Sequence, residues 1–140
     1  GRGAALRTLG ADEVVAGPAD LSAEVDGIID MVGGSMLVEG YTRLSEGGTL
    51  VAVGHAAEQG ETFPYGALFG DQGRHDRTLT TFFLLSCARL GPDLSWLAAR
   101  VAAGDLDPGI TWRGDWTNAD QAIDALLAGG LNGKAVLDLR

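Results

Sequence analysis

Two apolar runs that end in glycine organise the centre of the chain. Residues 25–32 (VDGIIDMV) stop at a pair of glycines, and residues 48–53 (GTLVAV) stop at Gly54. Short apolar runs of this kind are typical of strands that are buried on both faces of a parallel sheet. We therefore predict two central parallel strands here.

The segment between these runs has the spacing of a helix. Ser35 is placed to cap its N-terminus, and the pattern ends at residues 45–48 (SEGG). The residues predicted to form its apolar face are Met36, Leu37, Gly40, Tyr41 and Leu44. A strand, helix and strand joined by short loops predict a right-handed crossover and a parallel sheet.

The flanking segments predict further elements. They are the end of a helix at residues 3–9, a short strand at 14–16, a loop at 55–76, a strand at 78–84, a helix at 92–103, an extended piece at 110–112, a helix capped by Asn118 and a terminal strand at 134–139. The side chains expected to face inward from the last two helices are Leu94, Leu97, Ala98, Val101, Ala122, Ile123, Leu126 and Leu127.

Composition narrows the class of protein. The 140 residues, 46% of them hydrophobic, are enough for one compact domain. A net charge of −9 with scattered basic residues argues against nucleic acid as a partner. One cysteine, Cys87, cannot form an internal disulfide, which suits a reducing cytoplasm. One cysteine and two histidines also cannot supply four ligands to a closed zinc site. The sequence has no membrane-length apolar run and no signal-peptide pattern, so we expect a soluble cytoplasmic chain.

Four motifs occur in an order that is similar to one enzyme superfamily. They are LGADEVV at residues 9–15, DGIIDMVGG at 26–34, LSEGGTLVAVG at 44–54 and GKAVL at 133–137. Together they resemble the cofactor-binding domain of medium-chain dehydrogenases/reductases, in the zinc-type alcohol dehydrogenase and quinone oxidoreductase branches. Each motif is weak alone, and their order and spacing make the resemblance specific.

The resemblance implies an α/β fold with a partial Rossmann-like parallel sheet flanked by helices. It also implies that the first β-α-β unit and its glycine-rich phosphate loop lie upstream, because no GxGxxG or AxGGVG segment is present. We expect one partial nucleotide-binding domain over residues 1–140, with residues about 108–117 and 133–140 returning toward a catalytic domain. Residues 14–15 are then expected to be displaced, unpaired or recruited by another molecule.

The resemblance assigns cofactor contacts to two strand ends. Met31, Val32 and Gly33 match the segment beside the adenine side or ribose, and residues 53–55 (Val53, Gly54 and His55) match the segment near the nicotinamide. The alternative is that the two glycines serve only as turn residues. His55 is tempting as a proton donor, but a loop histidine is more often simply solvated. We assign no catalytic residue and no metal ligand.

Five more positions complete the predicted cofactor site. Arg2 matches a position that reaches the 2′-phosphate of NADPH, unless it is a solvated terminal residue. The resemblance implies that Phe82 and Phe83 lie on a strand that passes the nicotinamide and pairs two subunits. Because adjacent side chains alternate, we expect one ring in the core and the other outside. Asn132 and Lys134 match a segment that passes the cofactor, and Lys134 either contacts phosphate or caps a strand edge.

One pair of aspartates and one pair of tryptophans have structural interpretations. Asp26 and Asp30 share a face of one strand, and we expect them to have solvent-facing or strand-end roles instead of forming a catalytic carboxylate pair. Trp112 and Trp116 resemble packing positions for the catalytic domain and are expected to be exposed in this chain.

Two functions follow from the sequence. The first is a fragment of an NAD(P)H-dependent oxidoreductase that moves hydride to or from a carbonyl, quinone or enone, inactive as the isolated chain. Its parent would bind NADPH or NADH, with a slight preference for NADPH, and would form a homodimer or higher oligomer through sheet edges. The alternative is a non-catalytic Rossmann-derived module for oligomerisation or binding.

Overall fold

The computed structural model describes residues 2–69 and 74–139, except for the side chain of Arg2. Its regular elements are α1 (Arg2–Thr8), β1 (Val25–Asp30), α2 (Gly34–Thr42), β2 (Leu44–Ala52), β3 (Thr78–Thr81), α3 (Gly91–Ala103), β4 (Ile110–Asp115), α4 (Ala119–Leu127) and β5 (Lys134–Asp138). Short 3-10 turns occur at Pro18–Asp20, Leu84–Ser86 and Trp116–Asn118. The chain forms two compact units, Gly3–Ser86 and Cys87–Arg140.

The first unit contains a parallel sheet in the order β1-β2-β3. Ile28 of β1 lies beside Leu50 of β2, and Ala52 of β2 lies beside Thr81 of β3. The helix α2 connects β1 to β2, as a parallel pair requires a crossover. The predicted α/β class and the parallel order of these three strands are confirmed. The prediction that β1 and β2 are both central and buried on two faces is wrong for β1, which lies at an edge of the described sheet and has Ile29 75% exposed.

The core of this unit lies between α2 and the sheet. Its buried members are Leu37, Tyr41, Leu44 and Leu50, with Val25, Ile28, Ala52 and Phe63 packed against them. Gly40 allows the helix to approach closely, because a Cβ there would lie 3.4 Å from Ile28 and 3.5 Å from Leu50. The ring of Tyr41 meets that of Phe63 edge-on at 5.6 Å. Packing of this helix face against the sheet fixes the position of α2 relative to β1 and β2.

Two details of α2 and β2 differ from the prediction. Ser35 makes no cap hydrogen bond, since the helix begins one residue earlier, at Gly34, with Gly33 as the N-cap. Leu44 belongs to β2 and not to the helix: the amide of Val25 donates to the carbonyl of Arg43 at 3.0 Å, which brings the next residue into register with β1. The register then shifts before Thr49.

The third strand is shorter than predicted. The amide of Phe82 donates to the carbonyl of Ala52 at 2.9 Å, which is the last residue of β2, so later residues have no further part of β2 to pair with. Phe82 and Phe83 therefore lie after β3, and they are 43% and 65% exposed. The prediction that one of these rings packs in the core is wrong.

Residues 14–16 form no strand, so the short strand predicted there is wrong. They run without sheet pairing between α1 and the turn at Pro18–Asp20, in agreement with the expectation that this segment is displaced or unpaired.

The second unit contains the parallel pair of β4 and β5, together with α3 and α4. Helix α3 ends at Gly104 in the left-handed region (φ 78°), as the sequence predicts. Asn118 is the N-cap position of α4 but makes no side-chain cap bond. The carboxylate of Asp115 caps the preceding 3-10 turn, where it accepts from the amide of Thr117 at 3.0 Å. Trp116 is exposed, as predicted, and Trp112 is half-buried.

The apolar helix faces of the second unit are less buried than predicted. Ala122 is buried and matches its prediction. No residue of α3 is buried, so its expected inward face is wrong for the described residues. The predicted inward residues found to be exposed are Leu94, Leu97, Ala98 and Val101 of α3 and Ile123, Leu126 and Leu127 of α4.

In the part of the chain that is described, no helix combines the length and the apolar character that crossing a membrane would demand.

Truncation of Leu50 should strongly destabilise the first unit. Leu50 is fully buried between α2 and the neighbouring strands, so we expect Leu50→Ala to lower the free energy of unfolding by about 2–5 kcal/mol. Ile29 on β1 is 75% exposed, and Ile29→Ala should cost less than about 0.5 kcal/mol. Urea unfolding followed by circular dichroism measures both. Equal losses would contradict this placement of the core.

Candidate functional site

The carboxyl ends of β1 and β2 lie side by side. The carbonyl of Asp30 accepts hydrogen bonds from the amides of Val53 (2.8 Å) and Gly54 (3.2 Å). A Cβ on Gly54 would lie 2.6 Å from the carbonyl oxygen of Met31, so only glycine permits this approach of the two backbones. Open α/β sheets bind ligands at this edge, beyond the carboxyl ends of their strands.

Asp30 also shapes the turn that follows β1. Its side chain is 7% exposed, and its carboxylate accepts from the amides of Gly33 (2.8 Å) and Val32 (3.4 Å). Gly33 has φ 72°, the left-handed region that favours glycine. Asp26 instead accepts from the hydroxyl of Ser45 at 2.6 Å. The two aspartates thus have structural roles, as predicted.

A second carboxylate fastens the loop after β2 to the start of α2. Oε1 of Glu61 accepts from the amide of Gly34 at 2.9 Å and lies 2.8 Å from Nε2 of His55. The same Nε2 lies 2.8 Å from the carbonyl of Gln59. The imidazole covers Gly33, where an added Cβ would collide with Cδ2 of the ring. We call the contact of Glu61 with His55 and Gly34 the latch.

The latch affects the acid–base behaviour of Glu61. The hydrogen bond from the amide of Gly34 is the largest cause that lowers the pKa of Glu61, the bond with His55 lowers it further, and desolvation opposes both. The carboxylate is therefore favoured in the folded state.

An apolar cavity of about 490 Å³ adjoins the latch. Leu37, Phe63 and Leu79 line it together with residues 52–54 at the end of β2, and His55 and Glu61 reach it from the loop. The edge of the sheet thus combines apolar walls with one polar pair, which is the usual character of a small-molecule pocket.

Comparison with known proteins settles the family. A family model described as zinc-binding dehydrogenase matches residues 9–137. The chain belongs to the zinc-binding dehydrogenase family. This confirms the resemblance to medium-chain dehydrogenases/reductases that the four motifs indicate. A comparison with curated protein sequences found no significant match.

Three solved structures share this fold. The quinone oxidoreductase from Coxiella burnetii is 25% identical, with a TM-score of 0.68 over 99% of this chain and 42% of its own. An NAD-dependent alcohol dehydrogenase is 20% identical, with a TM-score of 0.69 over 99% of this chain and 41% of its own. The Bacillus subtilis protein yhfP, solved with NAD bound, is 20% identical, with a TM-score of 0.64 over 96% of this chain and 43% of its own. This member of the zinc-binding dehydrogenase family therefore spans less than half the length of each.

The predicted cofactor residues separate into groups. Those that meet at the sheet edge are Met31, Val32, Gly33, Val53, Gly54 and His55, joined by the backbone of Phe82. Phe83 follows at an exposed position. The side chain of Arg2 lies outside the described residues. Asn132 and Lys134 belong to the second unit, where Nζ of Lys134 donates to the carbonyl of Pro108 at 2.9 Å.

Sequence reasoning missed Glu61. It lies in a long loop without periodicity or a recognisable motif, 27 residues from the amide that it caps. The only available signal was a carboxylate six residues after a histidine, and that spacing alone does not specify a contact.

The family name implies zinc, so we tested the described residues as ligands. One group of three, Glu46, His75 and Asp76, has ligand atoms within 4.8 Å of one another, and all three side chains are exposed. The hydrogen bond with Asp76 and then the charge of Glu46 raise the pKa of His75. Protein zinc sites are usually rich in cysteine or histidine and enclosed, so this exposed set does not fit one.

The described turn fits the uncharged parts of a nicotinamide cofactor better than its phosphates. Met31 (56% exposed) and Val32 (39% exposed) offer apolar surface. The amides of Gly33 and Gly34, which could otherwise hold phosphate at the start of α2, already donate to Asp30 and Glu61.

Replacement of Gly33 should destabilise the protein more than replacement of Gly47. Both have φ 72°, but a Cβ on Gly47 meets nothing within 4 Å, whereas one on Gly33 meets His55 and Glu61. Gly47→Ala should cost about 1 kcal/mol from backbone strain, and Gly33→Ala about 1–3 kcal/mol more, because its ψ of −164° is a conformation nearly restricted to glycine and because the added Cβ overpacks against His55. Urea unfolding checks the difference, and equal costs would contradict the contact with His55.

The latch should open at acidic pH. Because folding lowers the pKa of Glu61, its contribution is complete above the ordinary glutamate pKa of about 4.3 and is lost as the pH falls through the lowered value. Hydrogen exchange of the Gly34 amide, measured from pH 7 to pH 3, should show protection that disappears on acidification. Glu61→Ala should remove that protection at pH 7.

The matched control is Glu58→Ala in the same loop, since the side chain of Glu58 makes no hydrogen bond or ion pair with the described residues. It should leave the Gly34 amide protected. Protection that persists in Glu61→Ala would refute the latch.

Proposed function

We propose that this chain forms part of the cofactor site of an NAD(P)H-dependent oxidoreductase, which transfers hydride to or from a carbonyl, quinone or enone. The observation that carries the proposal is the junction of β1 and β2, where Gly54 brings the two strand ends together at the ligand-binding edge of a parallel sheet. Membership of the zinc-binding dehydrogenase family supports it. The quinone oxidoreductase from Coxiella burnetii supports the reaction class.

We assign the cofactor's ribose and nicotinamide to the surface formed by Met31, Val32, Gly33 and residues 53–55. The exposed apolar side chains there can pack against uncharged rings, and the nearby backbone can approach closely. The bound cofactor would supply the hydride, and the residues of this chain would orient it. Phe82, Phe83, Asn132 and Lys134 remain proposed contacts.

A slight preference for NADPH over NADH rests on Arg2, whose guanidinium suits a 2′-phosphate. We further propose that residues 1–140 act as one nucleotide-binding domain whose residues about 108–117 and 133–140 approach a catalytic domain. A cytoplasmic location is supported by the single cysteine, Cys87, which suits a reducing compartment.

One observation favours a second candidate, a module for self-association. Phe82 (43% exposed) and Phe83 (65% exposed) follow the edge strand β3, all four residues of which are exposed. An open strand edge with neighbouring apolar side chains can pair with a second copy. The homodimer that this edge would form is compatible with either function.

Cofactor binding tests the first function. NADPH and NADH should be titrated calorimetrically into this chain and into the full-length protein that its gene encodes. Val32→Glu places a carboxylate on the proposed cofactor surface and should weaken binding at least about tenfold, because the charge must be desolvated. Leu127→Glu, at an 80% exposed position of the second unit, should leave the affinity unchanged.

Equal affinities of Val32→Glu and the unaltered protein would refute the assigned surface. If neither this chain nor the full-length protein binds NADPH or NADH, the association module is favoured. Sedimentation equilibrium of Phe83→Ser would then test whether this exposed ring contributes to self-association.

A further inference from the structure

The cavity beside the latch has the form of a small-molecule site. Its volume of about 490 Å³ falls within the range of about 300–1,000 Å³ that is typical of ligand pockets. Leu37, Phe63 and Leu79 supply apolar walls. Among the residues described, the ionisable side chains that line it are His55 and Glu61. A ligand here would therefore be mostly apolar and would meet polar chemistry at one end.

The latch fixes which nitrogen of His55 carries a proton. Nε2 lies 2.8 Å from the carbonyl oxygen of Gln59 and 2.8 Å from the carboxylate of Glu61. Both oxygens can only accept a hydrogen bond, so Nε2 must be the donor. In the neutral ring Nδ1 then keeps its lone pair and acts as an acceptor. No hydrogen bond to Nδ1 is found within residues 2–69 and 74–139.

The charges at the cavity restrict the ligand further. Glu61 is held as a carboxylate by the amide of Gly34, and the chain carries a net charge of −9, so an anionic ligand is disfavoured. The oxygen of Glu61 that faces the latch already accepts from two donors. Nδ1 of His55 is an acceptor without a partner among the described residues, and a neutral donor such as a hydroxyl suits it in an apolar cavity because burying a neutral group costs less than burying a charge.

We propose that this cavity binds a small, mostly apolar molecule that carries a hydroxyl group, and that this hydroxyl donates to Nδ1 of His55. Glu61 acts as a positioning residue that holds the imidazole in the required tautomer. The inference deepens the proposed function and rests on it in one respect: the hydroxyl compound is read as the alcohol or hydroquinone form of the substrate. Binding itself requires no cofactor.

A pair of probes tests the hydroxyl. 2-Naphthol and 2-methoxynaphthalene share an apolar ring system, but only 2-naphthol can donate a hydrogen bond. At pH 8, where free imidazole is neutral, we expect 2-naphthol to bind the unaltered chain roughly 3- to 10-fold more tightly, the usual effect of one neutral hydrogen bond. Equal affinities for the two probes would overturn the proposed contact.

Two neighbouring threonines test the place of binding. Thr81 lines the cavity, whereas Thr80 is the preceding residue of β3 and points to the opposite face of the sheet. Thr81→Trp should fill the cavity and reduce the affinity for 2-naphthol at least tenfold. Thr80→Trp, the matched control at an equally exposed position, should bind normally. Unchanged binding by Thr81→Trp would exclude the cavity.

The two histidines supply a second matched pair. The side chains of His55 and His75 are each 54% exposed and each pairs with a carboxylate, but only His55 lines the cavity. His55→Phe should abolish the preference for 2-naphthol over 2-methoxynaphthalene, and His75→Phe should retain it. A preference that survives in His55→Phe would assign the hydroxyl to another acceptor.

Nitrogen-15 NMR of the imidazoles reports the positioning role directly. The spectrum of the unaltered chain should show the Nε2–H tautomer of His55, and Glu61→Ala, which leaves only the carbonyl of Gln59 as an acceptor, should shift it partly toward the other tautomer. An unchanged mixture in both proteins would refute the role of Glu61. Binding of 2-naphthol through His55 without any binding of NADPH or NADH would preserve this site and reject the proposed function.

Discussion

The candidate site depends on the interactions of one residue, Asp30. Its carbonyl holds the amides of Val53 and Gly54, and its carboxylate holds the amide of Gly33. Because backbone and side chain act at the same position, the end of β1 is tied both to β2 and to the turn that starts α2. An unpaired buried carboxylate is costly, and the amides of Val32 and Gly33 donate hydrogen bonds to this one. The geometry of every proposed cofactor contact near the turn follows from this junction.

The latch adds a second constraint from a distant part of the chain. Glu61 caps α2 through the amide of Gly34 while it holds His55 above Gly33. A loop of this length gains little from its own conformational preferences, so it needs such contacts to hold a defined position. The space beside Gly33 is therefore occupied by the ring of His55. This supports a turn role for Gly33 in addition to the proposed cofactor contact.

The sequence allowed prediction of the elements that periodicity and glycine boundaries define, but not of those set by tertiary pairing. The runs that became β1 and β2 were recognisable because each is a continuous apolar segment that ends in glycine, although the expected burial on two faces does not hold for β1. Leu44 was placed on the helix because its spacing suits either element, and only the bond from Val25 to Arg43 decides for the strand. The contact of Glu61 with Gly34 joins residues 27 positions apart, which no local pattern encodes.

Electrostatics limits which part of a cofactor the turn can contact. The amides at the start of α2 are occupied by two carboxylates, Asp30 and Glu61, and both disfavour a phosphate at this helix end. The exposed side chains beside them, Met31 and Val32, are uncharged. If this edge binds NAD(P)H, it must therefore contact the ribose or a ring, and the phosphates must be held by other groups. That separation explains how an acidic chain can contribute to a site for an anionic cofactor.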